Sequence, residues 1–422
     1  MGLLRYWHTL RHLRPVQFYG RLWFRLYRPR PACPERLTLR NPGRTTFSPA
    51  SSGYPEPSPC CPEPSAPFPC LRPVSMLGPS RFRFLNQTHD AIGSETWNDP
   101  TRDKLWLYNL HYFDDLNADE APARAVWHRA LVQRWISENP PGQGNGWEPY
   151  PTSLRIVNWV KWLLREGTRG NEALPSSSLA IQAHWLSRRL EHHLLGNHLF
   201  ANAKALVFAG AFFVGPEAER WRRLGQRLLR RELGEQILAD GGHFERSPMY
   251  HAILLEDVLD LLRLGQVYPA TLDGALLNLC EEKAAAMQRW LTVMTHPDGQ
   301  ISFFNDAAFG IAATEAQLVY YAEQSSVIPA GKPESRPGTS DPRSIPTLIR
   351  LGDTGYIRLE AGPAVALLDV APIGPDYLPG HAHADTLSFE LSLGGGTPCQ
   401  DSSPPKIRYK RPVVEIQITR RG

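Results

Sequence analysis

The spacing of apolar residues changes once along this chain of 422 residues, and the change restricts the folds open to it. From about 101 to 330 apolar residues recur every three or four positions, as in Trp127, Leu131 and Trp135, which is the period of an amphipathic helix. After about 345 the period becomes two, in TGYIRLEAG, AVALLDVAP and HADTLSFELSLGG, which predicts strands. The sequence therefore predicts a mainly α protein with a C-terminal β domain.

The helical part is predicted to consist of antiparallel hairpins, because its helices are joined by short turns that contain Gly or Pro. Hairpins of this kind close into an α/α toroid or stay open as a solenoid, and no clean sequence repeat decides between the two. Its last four helices are predicted at about 200–214, 217–239, 248–264 and 273–294.

The first hundred residues differ from the rest. The N-terminus, MGLLRYWHTLRHLRPVQFYGRLWFRL, predicts a basic amphipathic helix that ends near Pro29 and Pro31. The first forty residues hold nine arginines and one glutamate, which suits an acidic polymer, a phosphate-rich surface, an anionic membrane or a plain solvated face. Residues 41 to about 80 are rich in Pro, Ser and Gly and predict a linker or a meandering surface segment. We divide the chain at 1–100, 101–340 and 345–422.

Composition excludes some classes of protein. The formal net charge is only +4, from 46 Lys and Arg against 42 Asp and Glu, and we expect no nucleic-acid partner. The sequence contains no run of eighteen apolar residues that would predict a membrane span. Charged residues interrupt the N-terminus too often for the hydrophobic region of a signal peptide. The six cysteines show no zinc-binding spacing and leave the redox compartment open.

The segment GHAHADTLSF carries the densest group of ionisable residues. On a strand, His381, His383 and Asp385 would share one face with the apolar residues that follow, and a buried row of this kind needs a metal, a charge partner or a substrate. Asp401, after the triple-glycine turn at 394–396, could join one imidazole in a partial zinc site. Histidines hydrogen-bonded at a strand end are the structural alternative.

Two helix boundaries also carry polar groups. In GNHLFANAK, Asn197 could cap a helix, but capping does not explain His198 and Asn202, which lie four apart on one helix face. In HFERSPMYH, Ser247 as the N-cap before Pro248 places Tyr250 in the first helical turn. There the helix dipole would favour the phenolate if the ring folds toward the end of the helix, and such a tyrosine can donate or accept a proton. An ordinary half-buried tyrosine is the alternative.

A further segment, WEPYPTSLRIVNW, combines aromatic and polar side chains. Arg155 and Asn158 lie three apart on one helix face, which could hold a carboxylate or a sulfate while Tyr150 or Trp147 stacks on a sugar ring. Packing in the core is the more common role of such tryptophans.

In this order, these motifs resemble the heparinase II/III family, which includes heparin-sulfate lyases and oligoalginate lyases. The most specific segments are LRYWHTLRHLRPVQFYGRLWFRL, LWLYNLHYFDDL, WEPYPTSLRIVNW, GNHLFANAKAL, HFERSPMYH and GHAHADTLSFEL. The resemblance implies an α/α toroid followed by an antiparallel β-sandwich, with a cleft for an acidic polysaccharide between them. It also implies β-elimination at a uronic acid, whose carboxylate must be neutralised before the C5 proton can leave.

The resemblance also implies roles for single residues. Asn197 and His198 would contact the uronate carboxylate with His381 nearby, and Tyr250 would protonate the leaving glycosidic oxygen, acting in some members as the base as well. His383 and Asp401 match two ligands of a structural zinc ion. The positions expected to bind substrate are Tyr150, Arg155, Asn158 and Asn202.

The end of the chain departs from the family pattern, because residues 404–422 read PPKIRYKRPVVEIQITRRG where members continue with further strands and a third zinc ligand. We therefore expect an incomplete sandwich and an incomplete zinc site. The leading hypothesis is a periplasmic polysaccharide lyase, since family members generally act there. The alternatives are an inactive relative that at most binds acidic glycans, and a metal-dependent hydrolase built on the histidine row.

Overall fold

The computed structural model describes residues 10–43, 67–166, 173–325 and 346–393, and its elements in these ranges are mainly helical. The helices of the described residues are Pro15–Leu26, Lys104–Tyr112, Ala125–Glu138, Pro149–Glu166, Ala173–Leu186, Gly196–Phe212, Pro216–Gln236, Pro248–Val267, Gly274–Val293 and Glu315–Gln324. None of them is both long and apolar enough to cross a bilayer.

The strands of the described residues form three antiparallel sheets. Thr38–Leu39 pairs with Phe213–Val214, and a small meander, which the sequence did not predict, lies within 76–90. The largest sheet has four strands in sequence order: Thr347–Leu351, Tyr356–Ala361, Ala364–Asp369 and Phe389–Leu393. The predicted class, mainly α with a β domain, is confirmed.

The chain divides into two compact units. The first comprises Met1–Gly234 and Asp257–Glu281, and the second comprises Glu235–Glu256 and Glu282–Gly422. In the first unit, the Gly196–Phe212 helix is buried on every side from Leu199 onward, and most of its side chains there are apolar.

One charged side chain on that helix, Lys204, is held by a half-buried carboxylate and a fully buried one. Its Nζ lies 2.6 Å from Asp257 Oδ1 and 2.5 Å from Asp260 Oδ2, and Lys161 Nζ lies 2.6 Å from the same oxygen of Asp260. A buried charge is tolerated only when it is paired, so this network lets a lysine occupy the core of the first unit.

The core of the second unit lies under one face of the four-stranded sheet. Tyr356 and Leu367 project from that face and pack with Trp290, Met294 and Phe304. The opposite face carries exposed leucines at 348, 359, 391 and 393. The alternation predicted for these strands is therefore present, because neighbouring positions project to opposite faces.

The predicted strand through His381, His383 and Asp385 is wrong. Pro379–His381 is a 3₁₀ turn, Leu387 has a left-handed φ of 73°, and the strand begins only at Phe389. Because the backbone turns between 381 and 388, the three polar side chains do not form one row. They do not continue an inward apolar stripe either, since Leu391 is on the exposed face.

Candidate functional site

In the second unit, two of the expected catalytic residues are in direct contact. The helix begins at Pro248 as predicted, and the Ser247 hydroxyl accepts a hydrogen bond of 3.3 Å from the backbone N–H of Tyr250. The Tyr250 ring lies nearly flat on the His381 imidazole, with 3.9 Å between ring centroids and an interplanar angle of 15°. A phenol and an imidazole, both capable of proton transfer, therefore lie side by side.

The partner of His381 is a carboxylate that the sequence did not single out. His381 Nδ1 contacts Glu245 Oε2, and the Glu245 side chain is only 2% exposed. A carboxylate at Nδ1 keeps the proton on that nitrogen and orients the ring. Nε2 of His381 makes no hydrogen bond to the described residues.

Tyr250 is protonated in this environment. Burial raises the pKa of its phenol, and the carboxylates of Asp306 and Glu245 raise it further, Asp306 also accepting its hydrogen bond. The expectation that the helix dipole would favour the phenolate is wrong, because burial and two negative charges outweigh a partial positive charge at the helix terminus. The phenol at this position therefore keeps its proton.

Asn305 connects the segments that carry these residues, and no motif in the sequence pointed to it. Its Oδ1 accepts from the backbone N–H of His383 at 3.1 Å, and its own backbone N–H donates to Asp385 Oδ2 at 2.5 Å. Its Nδ2 donates to the carbonyl of Arg246 at 3.2 Å. Asn305 and Arg246 both have left-handed backbones, with φ of 56° and 62°, and strained positions of this kind cluster at functional sites.

In the first unit, the second expected imidazole also pairs with a buried glutamate. His198 Nδ1 lies 3.2 Å from Glu191 Oε1, and Asn202 Nδ2 donates to Glu191 Oε2 at 3.0 Å. Asn202 is fully buried and also donates to Ser153 Oγ at 3.1 Å. The predicted shared face of His198 and Asn202 is confirmed, but the substrate-binding role of Asn202 is not supported, because its amide holds Glu191 in place.

Asn197 does not cap its helix. The helix begins at Gly196, with buried Leu195 as the N-cap residue in a strained backbone conformation (φ 64°, ψ −158°). Asn197 is therefore inside the first turn, half-exposed, and its amide makes no hydrogen bond to the described part of the chain. The capping alternative is wrong, and the amide is available next to the positive end of a 17-residue helix.

Tyr150 lies beside His198, with their ring centroids 4.5 Å apart and their planes inclined by 39°. It also makes an edge-to-face contact with Tyr112 at 6.0 Å. The ring is half-buried, and its place next to an expected catalytic residue is consistent with a substrate-binding role, which stays a prediction.

Arg155 is a core residue, which corrects the expectation that it binds substrate. It is fully buried, and its guanidinium donates to Gln182 Oε1 at 2.9 Å, to the carbonyl of His111 at 3.2 Å and to the carbonyl of Gly146 at 2.7 Å. Its Cζ lies 3.8 Å above the Trp135 ring. The N–H groups that form these bonds all donate to protein acceptors, so the buried side chain cannot bind a substrate anion.

Asn158 is likewise held by protein. Its Nδ2 donates to the carbonyl of Tyr112 at 2.9 Å and to Asp114 Oδ1 at 2.7 Å, and its Oδ1 accepts from Asn117 at 3.1 Å. A substrate-binding role for Asn158 is therefore not supported. Its amide joins the Pro149–Glu166 helix to the 3₁₀ turn that follows the Lys104–Tyr112 helix.

The described residues do not assemble a metal centre. No three His, Cys, Asp or Glu side chains among them converge on one point, and His383 is exposed, with its backbone N–H bonded to Asn305. Asp401, the other expected ligand, lies outside the described residues. The zinc ion therefore stays a prediction, and none of the chemistry below passes through it.

Among the buried histidines of the described residues, three have strongly lowered pKa values and are neutral. Burial lowers the pKa of His243 to about 4 and those of His111 and His251 to about 3. The hydrogen bonds fit neutral rings: His251 Nε2 bonds to the carbonyl of Met287 at 2.9 Å, while Nδ1 accepts from the His243 backbone at 3.2 Å.

We expect the protein to lose stability as the pH falls from about 6.5 towards 4. In that range the unfolded chain binds protons on these histidines and the folded chain does not, which costs up to about 2 kcal/mol for each ring at pH 5. Asp369 acts in the opposite direction, because burial raises its pKa to about 6, but one carboxyl does not offset three imidazoles. Thermal melting at pH 7.5 and pH 5 tests this, and equal midpoints would contradict it.

Comparisons with known proteins agree with this architecture. A family model described as "Heparinase II/III N-terminus" matches residues 117–332, which is half of the chain, and "Heparinase II/III-like, C-terminal" matches residues 346–401. A heparin-sulfate lyase of Pedobacter heparinus is 27% identical over 224 residues, covering 51% of this chain and 32% of the relative. One from Bacteroides stercoris is 38% identical over 74 residues, covering 17% of this chain and 11% of the relative.

A solved structure described as heparinase III has the same fold. It superposes with a TM-score of 0.52 at 20% identity, covering 73% of this chain and 51% of the other. The chain thus spans about half the length of that structure and about a third or less of the two curated relatives. The predicted α/α toroid with an antiparallel β domain is confirmed. By the match to its family models, the chain belongs to the heparinase II/III family.

Proposed function

We propose that this protein is a polysaccharide lyase that cleaves acidic, uronate-containing glycans by β-elimination. The observation that carries the proposal is the stacked pair of Tyr250 and His381, with Glu245 behind the imidazole. Relatives described as heparin-sulfate lyases support the same reaction class.

The pair supplies both proton transfers of the reaction. In our proposal His381 Nε2 accepts the proton from C5 of the uronate, and Glu245 stabilises the imidazolium that forms. The electrons of the C5–H bond form the C4–C5 double bond as the C4–O bond breaks. Tyr250, which is protonated before the reaction, gives its proton to the leaving oxygen. The products are an unsaturated uronate and a new hydroxyl-terminated chain.

The uronate carboxylate must be neutralised for the C5 proton to become acidic, because negative charge develops on it as that proton leaves. The family resemblance implies this role for Asn197 and His198, and for this chain the role stays a prediction. The available Asn197 amide, the first-turn N–H groups and an imidazole oriented by Glu191 are suited to an anion.

The stacked arrangement also favours one class of sugar. Because Tyr250 and His381 lie against each other, we expect them to approach the uronate ring from the same face. The C5 hydrogen and the C4 oxygen of the substrate must then both be on that face. In gluco- and manno-configured uronates the C5 hydrogen and the C4 oxygen are on the same face, whereas in the C5 epimers they are on opposite faces. We therefore propose glucuronate- or mannuronate-containing chains as substrates.

The test is the ultraviolet absorbance of the unsaturated product. The full chain should produce it from polymannuronate or from a glucuronate-containing glycosaminoglycan and not from polyguluronate, which serves as the matched epimer. Product from polyguluronate alone would overturn the substrate class. Binding without product on every polymer would overturn the lyase proposal in favour of an inactive glycan-binding relative.

Replacing Glu245 with glutamine should lower kcat roughly a hundredfold with little change in KM, because an amide orients His381 but cannot stabilise its charged form. The matched control is Glu390→Gln, which alters a second carboxylate–imidazole pair of the same unit, His296 Nε2 with Glu390 Oε2 at 2.7 Å. The control should keep kcat within about threefold. If both variants lost the same share of kcat and also melted at lower temperatures, the role of Glu245 would be structural only.

A further inference from the structure

The Pro15–Leu26 helix packs on the first unit by one face only. A Cβ at Gly20 would lie 3.0 Å from His193 Cβ, and the Phe24 ring lies 4.4 Å from the His193 ring. Arg189 covers Phe24 at 3.8 Å and donates to the carbonyls of Phe24 and Tyr27 at 3.2 and 2.6 Å, which satisfies the helix C-terminus. These contacts determine which face of the helix points away from the unit.

The face that points away is apolar. Tyr19, Leu22, Trp23 and Leu26 are spaced by three and four residues, so they share one side of the helix, and each is between 60% and 72% exposed. Phe18 borders them and is also exposed. A contiguous apolar surface of this kind on a helix that is otherwise anchored marks an interaction site.

Positive charge lies along one side of this apolar face and beyond the end of the helix. Arg21 and Arg25 border it on one side and are exposed, and Arg28 and Arg30 follow the helix. Residues 10–43 contain eight arginines and a single acidic residue, Glu35. The helix thus combines exposed Leu, Phe and Trp with arginines that can reach lipid phosphates, which is the pattern of helices that lie in a membrane interface.

We propose that this helix docks the protein on an anionic lipid surface, with Leu22, Trp23 and Leu26 inserted below the phosphates and the arginines paired with them. An acidic glycan fits less well, because exposed leucines neither stack on sugar rings nor hydrogen-bond to them. A second copy of the chain also fits less well, because a twofold contact on this face would bring like arginines together.

Flotation of the full chain with vesicles tests the proposal. We expect binding to phosphatidylcholine vesicles that contain phosphatidylglycerol, and weak binding to phosphatidylcholine alone. The pair Trp23→Ser and Leu26→Ser should lower the partition coefficient roughly tenfold or more, because it removes most of the insertable surface. The pair Arg21→Gln and Arg25→Gln should lower it roughly twentyfold and flatten its salt dependence.

The matched control replaces two equally exposed apolar residues of the same unit, Ile92→Ser and Val126→Ser, and should bind as wild type. If the Trp23 and Leu26 pair does not fold, the arginine pair carries the test, because it leaves the packed face untouched. Absence of flotation, or equal losses in the control, overturns the proposal. The proposal is also overturned if these variants float with vesicles as the wild type does and lose only glycan binding or self-association.

Discussion

Replacing Tyr250 with phenylalanine is expected to lower kcat roughly a thousandfold while KM stays within a few-fold. The variant keeps the ring that stacks on His381 and removes only the hydroxyl that we propose as the proton donor. General acid catalysis raises reaction rates by about a hundredfold to ten-thousandfold. Because the pKa of the Tyr250 phenol is raised, the substitution removes a neutral hydroxyl and not a phenolate. Initial rates of ultraviolet absorbance on a glucuronate- or mannuronate-containing polymer measure the effect.

Tyr268→Phe is the matched control, because burial also raises the pKa of the Tyr268 phenol and no catalytic or substrate-binding role is expected of this residue. We expect its kcat to stay within about twofold of wild type. Retention of more than about a tenth of the activity by Tyr250→Phe would show that another group protonates the leaving oxygen.

Replacing Arg155 with alanine is expected to lower the free energy of unfolding by about 4 kcal/mol, as estimated from the unsatisfied groups and the cavity that remain. The substitution removes three buried hydrogen bonds and the contact with the Trp135 ring. Gln182 Oε1 and two buried carbonyls then lose these donors. Arg155→Lys should recover little of the loss, since an ammonium cannot reproduce the planar fork.

Denaturant unfolding monitored by circular dichroism measures this change, with Arg220→Ala as the control. Arg220 is an exposed arginine of the same unit in a surface ion pair with Glu217, so its loss should cost less than about 0.5 kcal/mol. A stable Arg155→Ala variant with a raised KM would instead return Arg155 to the substrate-binding role that its sequence position suggested.

Features that depend on neighbours in the sequence were predictable from it. The helices predicted at about 200–214 and 248–264 are observed at Gly196–Phe212 and Pro248–Val267, because apolar periodicity and capping residues act within a few positions. The placement of Tyr250 in a first turn after Ser247 and Pro248 followed from the same local rules. The strand predicted through the histidine-rich segment was wrong. Its period-two pattern continues across Leu387, where the backbone turns, and the pattern gives no sign of that turn.

The sequence by itself thus determined the class of fold and most helix positions, and it pointed to Tyr250 and His381 as candidate reactive side chains. Only the tertiary structure decided what surrounds those side chains: Glu245 reaches His381 across 136 positions, and Asn305 joins segments that are far apart in the chain. It also decided that Arg155 is buried and that Tyr250 keeps its proton. Burial and charge act through space, so protonation and orientation depend on neighbours that sequence spacing does not identify.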